Sequence, residues 1–376
     1  MSSPFGRKPR GRQRGDIRAA VINRLDGTFD IEELGIDHPR GAEVLVEVAA
    51  AGLCHSDYLV ASVDRGRPLP MVAGHEMSGI VAEVGPDVAD LKVGDHVVAT
   101  EVDFCGSCRE CRAGAPFRCL NPAAARRPEG APSRLTRDGA PVTAFGVAGF
   151  AERTLLHRNK LVKVPREIPF AQAAVLGCAV STGVGAVLNS AGVRPGETVA
   201  VVGLGGVGLN VVQGAALAGA RAVVGIDLQL PKLALARRFG ATHVVNPAEE
   251  DVAAAVRAAT DGGAHHVFEA IGLGATQRQA IGLTRTGGSV NFIGIPQGTP
   301  PDIDIMRDLL LGQRTMRGVY MGSTDPRRDI PFYADLYLQG RLNLDDLVSV
   351  RLDLAAINDA YARQETGAVA RSVVTF

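Results

Sequence analysis

The 376-residue chain has no excess of charge of either sign. Its 40 Lys and Arg are matched by 40 Asp and Glu, with a sequence pI of about 7.1. That balance removes any broad electrostatic case for a nucleic-acid partner. No apolar run reads as reaching membrane-spanning length, so no membrane partner is expected. The N-terminus, "MSSPFGRKPRGRQRG", is basic but has no apolar segment behind it, so it is not a secretory signal. Residues 1–16 are expected to be a disordered basic tail or the result of an over-long start; a tail that touches an anionic partner is the other reading. Internal repeats and long low-complexity linkers are missing as well. Tryptophan is absent, and there are only six cysteines. A cytoplasmic, reducing location is expected, in which disulfides do not form.

What is present falls into two textures. From about Asp16 to Pro165, short alternating runs such as "EVLVEVAAAG", "SGIVAEVG" and "DHVVATEV" are broken by Gly, Pro and Asp and read as antiparallel strands. From about Ala179 to Gly322, Val- and Ile-rich runs alternate with Ala-rich helical ones, which predicts a parallel sheet covered by helices. The end of the chain, "RSVVTF", reads as a strand. Inside the second texture, "VAVVGLGGVGLNVVQGAALAGARAVVGID" places Gly203, Gly205 and Gly208 between a strand and a helix. Asp227 ends the next strand. A helix N-terminus at such a turn holds a pyrophosphate with its free N–H groups and dipole. Asp227 would accept hydrogen bonds from the ribose hydroxyls and repel a 2′-phosphate, which favours NAD over NADP. Lys232 either reaches the ribose or is a solvated helix lysine.

Four of the six cysteines lie in "CGSCRECRAGAPFRC": Cys105, Cys108, Cys111 and Cys119. Four thiolates on one short loop can close a tetrahedron around zinc, leaving no open position, so this cluster is read as a structural staple. Cys54 and Cys178 remain. With His75, drawn from three separate loops, they suit a zinc with an open fourth position; on burial statistics alone they are plain core cysteines.

The motifs "GLCHSD", "AGHEMSGIVAEVG", "CGSCRECRAGAPFRC", "GCAVSTGVGAV", "VVGLGGVGL", "GIDLQLPK", "GATHVVNP" and "ARSVVTF" together resemble the zinc-dependent alcohol dehydrogenases of the medium-chain dehydrogenase/reductase superfamily. The long segment after Cys119 is similar to the liver-type and glutathione-linked branch. The resemblance implies an α/β protein: a GroES-like β-rich catalytic domain built from residues 17–179 and 323–376, plus a Rossmann doubly wound parallel-sheet domain over residues 180–322. It also implies NAD, two zinc ions per chain, a small alcohol or aldehyde substrate, and a homodimer or homotetramer. Cys54, His75 and Cys178 match the catalytic zinc ligands, Glu76 a second-shell or transient ligand, Asp57 the carboxylate that orients His75, and Ser56 the hydroxyl that takes the substrate proton. His55 and Arg371 match pyrophosphate contacts. Thr182 and Val207 flank the nicotinamide, Leu228 and Ile271 the adenine, and Gly206 and Ile293 complete the cofactor contacts. The expected activity is hydride transfer between an alcohol and NAD. A biosynthetic carbonyl reductase, a non-catalytic relative and a zinc-free quinone reductase are the alternatives.

Three positions depart from the pattern. Leu59 replaces a histidine that ends a proton relay. Arg65 stands at the lip of the substrate channel in place of an apolar or acidic residue. Glu101 replaces an aromatic beside the zinc. With Phe145, Arg65 and Glu101 are assigned to the substrate pocket; the alternatives are that Arg65 is solvated and that Glu101 turns away to a cation. As pocket residues they point to a substrate larger and more polar than ethanol, with any acid at its outer end.

Overall fold

The computed structural model describes residues 16–365 and 370–376. The tail expected at the N-terminus thus lies outside the described residues, except for Asp16, which opens the first strand, Asp16–Ile22.

Three sheets organise the rest. Strands Asp16–Ile22, Asp30–Ile36, Leu135–Arg137, Ala140–Ala144 and Met71–Val72 close a small barrel. A seven-stranded sheet has the order Leu161–Lys163, His96–Ala99, Glu76–Val84, Glu43–Gly52, Arg371–Thr375 and Val348–Leu352, and Arg153–His157 also pairs with Glu43–Gly52. Alternation explains the long central strand: Glu47 is exposed while its neighbours Val46 and Val48 are buried. The final strand Arg371–Thr375 lies antiparallel to Glu43–Gly52, so the C-terminus completes a sheet begun near the N-terminus. Antiparallel pairing is the expectation from about Asp16 to Pro165, which Met71–Val72 with Ala140–Ala144 departs from; no particular pairing is expected for the mixed pattern after Ser323. Two pairs are parallel: Met71–Val72 with Ala140–Ala144, and Val348–Leu352 with Arg371–Thr375. Both join segments too far apart in sequence to form hairpins, so short-turn reasoning does not reach them.

The third sheet is parallel. Its order is His243–Val245, Ala222–Ile226, Thr198–Val202, Ala264–Glu269, Thr284–Phe292 and Thr315–Gly318. In chain order this is 3-2-1-4-5-6, whose direction reverses beside Thr198–Val202. Ligands of such sheets bind in the crevice at the carboxyl ends of the strands flanking that reversal.

One helical rod, Phe170–Ala191, is long and apolar enough by composition to cross a membrane. This corrects the reading that no apolar run is so long. Most of the rod is buried in the protein, and its apolarity serves the core. Val175, Leu176, Val180, Val184 and Val187 are fully enclosed, each contributing about 1.5–3 kcal/mol. Small residues let backbone pass close by: a Cβ on Gly177 would lie 2.1 Å from the Ala99 carbonyl oxygen, and one on Gly185 2.6 Å from that of Gly322. The rod contains π-turns over Leu176–Val180 and Ala186–Ala191, and it ends at Gly192 in the left-handed region, φ 66°. Cys178 and Thr182, one turn apart, both face the crevice.

Candidate active site and metal centres

Three segments deliver metal-binding atoms to one point. Cys54 caps the short helix His55–Ser62, His75 precedes the strand Glu76–Val84, and Cys178 sits in the first π-turn of the rod. Together with Glu76 their ligand atoms all lie within 4.8 Å of one another. His75 Nε2 is 3.2 Å from Cys178 Sγ, while its Nδ1 is 3.0 Å from Asp57 Oδ1. Asp57 also accepts the Gly74 N–H. A carboxylate on Nδ1 fixes the tautomer and leaves Nε2 free for a metal. Ser56 Oγ donates to Cys54 Sγ at 3.1 Å.

The electrostatics of this cluster fit a cation. The hydrogen bond between the two thiols draws Cys54 well below the ordinary thiol value and pushes Cys178 well above it. Burial works against protonation of His75, but Asp57 and the two sulfurs outweigh it and hold His75 well above the usual histidine value. Burial likewise pushes the Glu76 carboxyl up to about 7. Glu76 Oε1 accepts the Ala179 N–H and faces Arg371 Nη2 at 3.3 Å. Its Oε2 and the Asp57 Oδ2 are buried without a partner among the described residues. Two thiols, an imidazole and an orphaned carboxylate oxygen form a donor set whose protons zinc displaces on binding.

The second cluster lies apart, on the loop that follows the strand His96–Ala99. The Sγ atoms of Cys105, Cys108, Cys111 and Cys119 stand 3.5 Å (108–111), 3.6 Å (105–119), 4.0 Å (105–111) and 4.0 Å (108–119) apart. All four thiols are free. A zinc tetrahedron with Zn–S near 2.3 Å has edges of about 3.8 Å, so the sulfurs already stand at the corners. Backbone N–H groups of Ser107 and Cys108 approach Cys105 Sγ. Hydrogen bonding, led by Ser107, draws Cys105 down to about 6, and burial raises Cys111 to about 12.

The glycine turn lies across the crevice from the Cys54 cluster. Gly203 has φ +92°, and a Cβ there would meet Ile271 at 2.5 Å. A Cβ on Gly208 would lie 1.8 Å from the Gly203 carbonyl oxygen, so only glycine lets the helix Gly206–Leu217 start this close to the strand. Beside that helix N-terminus, Arg371 donates from Nη1 to the Leu53 carbonyl, and its Nε lacks a partner among the described residues. Asp227 is held by two backbone donors, Leu204 N to Oδ2 at 2.8 Å and Gln229 N to Oδ1 at 3.0 Å, with Lys232 Nζ 3.9 Å from Oδ2.

A cavity of about 520 Å³ joins these parts. Cys54, His55, Ser56, Asp57, His75, Cys178, Thr182, Gly205, Gly206, Val207, Gly208, Lys232, Ile271, Ile293 and Arg371 all line it, as do Leu59, Arg65, Glu101 and Phe145. Gly203, Glu76 and Asp227 back this wall without lining it. Leu228 stands outside the lining and is 62% exposed. Glu101 faces inward, 3.8 Å from His75 Nδ1, and burial raises its carboxyl. Its cationic neighbour Lys160 is instead paired with Asp103 at 2.8 Å and donates to the Gly146 carbonyl. The sequence reading missed Arg67, Tyr320, Met321 and Gln364, which also line the cavity. Tyr320 and Met321 had a usable signal: they follow the last parallel strand, at the carboxyl end where such sheets bind ligands.

The alcohol dehydrogenase GroES-like domain pattern matches residues 40–166, and the zinc-binding dehydrogenase pattern matches residues 206–338. The chain belongs to the zinc-binding alcohol dehydrogenases of the medium-chain dehydrogenase/reductase superfamily. It is 38% identical over 367 residues to geraniol dehydrogenase of Castellaniella defragrans, covering 96% of this chain and 97% of that one. It is 35% identical to the class-3 alcohol dehydrogenase of Cereibacter sphaeroides, covering 96% and 99%. Among solved structures, benzyl alcohol dehydrogenase from Acinetobacter calcoaceticus superposes with a TM-score of 0.89 at 35% identity, over 96% of this chain and 99% of that one. As a member of this family the chain is an oxidoreductase of small alcohols and aldehydes that uses zinc and a nicotinamide cofactor. The expected α/β class, with GroES-like and Rossmann parts, stands.

Proposed function

We propose that the chain binds two zinc ions, one at Cys54, His75 and Cys178 and one at Cys105, Cys108, Cys111 and Cys119, and uses NAD to oxidise an alcohol, or to reduce an aldehyde or ketone in reverse. The observation that carries this reading is the meeting of Cys54, His75 and Cys178 in the same cavity that the glycine turn lines. When bound, zinc supplies a Lewis acid that polarises the substrate oxygen and lowers the alcohol pKa, and the nicotinamide accepts the hydride.

The residues of the chain supply the rest. Cys54, His75 and Cys178 would hold the metal, three protein ligands being the number that leaves zinc a position for substrate. Asp57 fixes the His75 ring. Glu76, anchored by Arg371 and the Ala179 N–H, would serve as a nearby or transient ligand. Ser56 takes the substrate proton at its Oγ. Leu59 is buried and apolar and carries no proton onward. The Gly205–Gly208 turn and Arg371 hold the pyrophosphate, with His55 beside them; Thr182, Val207 and Ile293 border the nicotinamide, and Ile271 and Leu228 the adenine. Residues 17–179 and 323–376 form the catalytic domain and 180–322 the cofactor domain. In support, the six strands of the parallel sheet fall between Thr198 and Gly318, while Arg371–Thr375 joins the N-terminal sheet.

A homodimer or homotetramer fits the outer edge of the parallel sheet. Thr315–Gly318 ends that sheet, and Ile305, Met306, Leu310 and Leu311 beside it are 56–66% exposed. The reading places the protein in the cytoplasm, where its thiols stay available to zinc.

NADH formation across a panel of alcohols tests the function; no NADH with any of them would contradict it. Cofactor choice has its own test. Asp227→Gly is expected to raise the use of NADP relative to NAD roughly tenfold or more, about 1.4 kcal/mol, by removing a fixed carboxylate beside the ribose site. The check is kcat/KM for both cofactors in both proteins. A wild type that prefers NADP would refute the assignment.

A further inference from the structure

Resting on the oxidoreductase reading above, we propose that the pocket is built for an alcohol or aldehyde bearing a carboxylate that is gripped by Arg67 with Arg65 beside it.

Arg67 is half-buried and lines the same cavity as Cys54, His75 and Cys178. Its guanidinium lies 4.5 Å over the Phe145 ring. Stacking of this kind fixes the plane of the fork and leaves its N–H edges free to point into the cavity. Among the described residues no carboxylate lies within ion-pairing distance of Arg67 or Arg65. The contrast with the other cations of the wall is direct: Arg371 is paired with Glu76, and Lys232 has Asp227 beside it. Half-buried arginines elsewhere are also committed, Arg127 to Asp37 and Glu43, and Arg134 to Glu43. A stacked, partly desolvated guanidinium left open toward a substrate cavity is suited to a bidentate oxyanion, and a carboxylate matches its fork.

Glu101 sets the orientation. Glu101 lies 3.8 Å from His75 Nδ1, so a second carboxylate meets repulsion close to the metal ligands and attraction at Arg67. The hydroxyl or carbonyl end is therefore directed to the metal ligands and the acid to Arg67. Together Arg67 and Glu101 select a substrate with one neutral reacting end and one anionic end.

The test uses a pair of ligands alike in shape, 4-formylbenzoate and 4-methylbenzaldehyde, titrated into zinc-loaded protein saturated with oxidised NAD. With the cofactor oxidised there is no hydride donor to reduce the aldehyde, and NADH absorbance followed in the same mixture shows that none is oxidised through its hydrate, so calorimetry reads binding. In the wild type the acid is expected to bind roughly ten- to a hundredfold more tightly than its neutral partner. In Arg67→Gln that ratio is expected to fall by at least tenfold, and Arg67→Lys, which keeps charge but loses the fork, is expected to recover only part of it. Equal binding in the wild type, or a ratio unchanged by Arg67→Gln, overturns the proposal. Turnover of 4-(hydroxymethyl)benzoate is measured separately. Selective binding of the acid with no hydride transfer from any alcohol would sink the oxidoreductase reading and leave the subsite standing.

Discussion

Cys178→Ser is expected to lower kcat/KM by more than about 100-fold while the protein stays folded. Loss of a group that merely supports a metal ligand costs ten- to a hundredfold, and Cys178 is placed as a ligand itself. A serine hydroxyl does not ionise as a thiol does and does not replace a thiolate on zinc. The fold is insulated because Cys178 sits on a rod whose attachment comes from Val175, Leu176, Val180, Val184 and Val187, all enclosed in the core. Zinc content should fall by one ion per chain, with the melting temperature nearly unchanged. Turnover at the wild-type rate would remove Cys178 from the chemistry.

Cys108→Ser is expected to do the reverse: to lower the melting temperature by roughly 5–10 °C while the protein that remains folded keeps its turnover. The lobe from Cys105 to Cys119 has little else to hold it. Its regular structure is a four-residue helix, Arg109–Arg112, and one short turn, Pro116–Arg118. Its buried apolar residues are few, Cys111, Ala115 and Pro116 among them, with Phe104 just before it. A loop of this kind folds as it takes up metal, and binding free energy becomes stability. The measurement is a thermal melt with and without added chelator. A variant that melts with the wild type, and a wild type indifferent to chelator, would show that the four sulfurs do not staple the lobe.

Much of this was legible in the residues because it rests on local rules. Gly203, Gly205 and Gly208 sit between a strand and a helix in a spacing that backbone sterics dictate, and the structure places them there. The four clustered cysteines are bound by short chain segments, so their meeting follows from their spacing. Cys54, His75 and Cys178 are different. Their meeting depends on the rod, the Glu76–Val84 strand and the His55–Ser62 helix packing together, and the resemblance, not the spacing, pointed to it. Other features depend on tertiary packing alone. The π-turns that set the phase of the rod leave no mark in its composition. Nothing local says that Glu101 turns inward while Lys160 is taken by Asp103. Arg67 passed unnoticed beside Arg65 because its meaning lies in Phe145, nearly eighty residues away in sequence. Asp227 was legible as an acid ending a strand, but not its two backbone donors.

The two proposed metal centres have separate duties, one in the cavity and one in the lobe. The measurement that tests this most directly is the zinc content of wild-type protein purified without chelator, read by elemental analysis against protein concentration. Two zinc ions per chain is the predicted result, from four thiolates in one place and two thiolates with an imidazole in the other. One zinc ion per chain, or none, would contradict it.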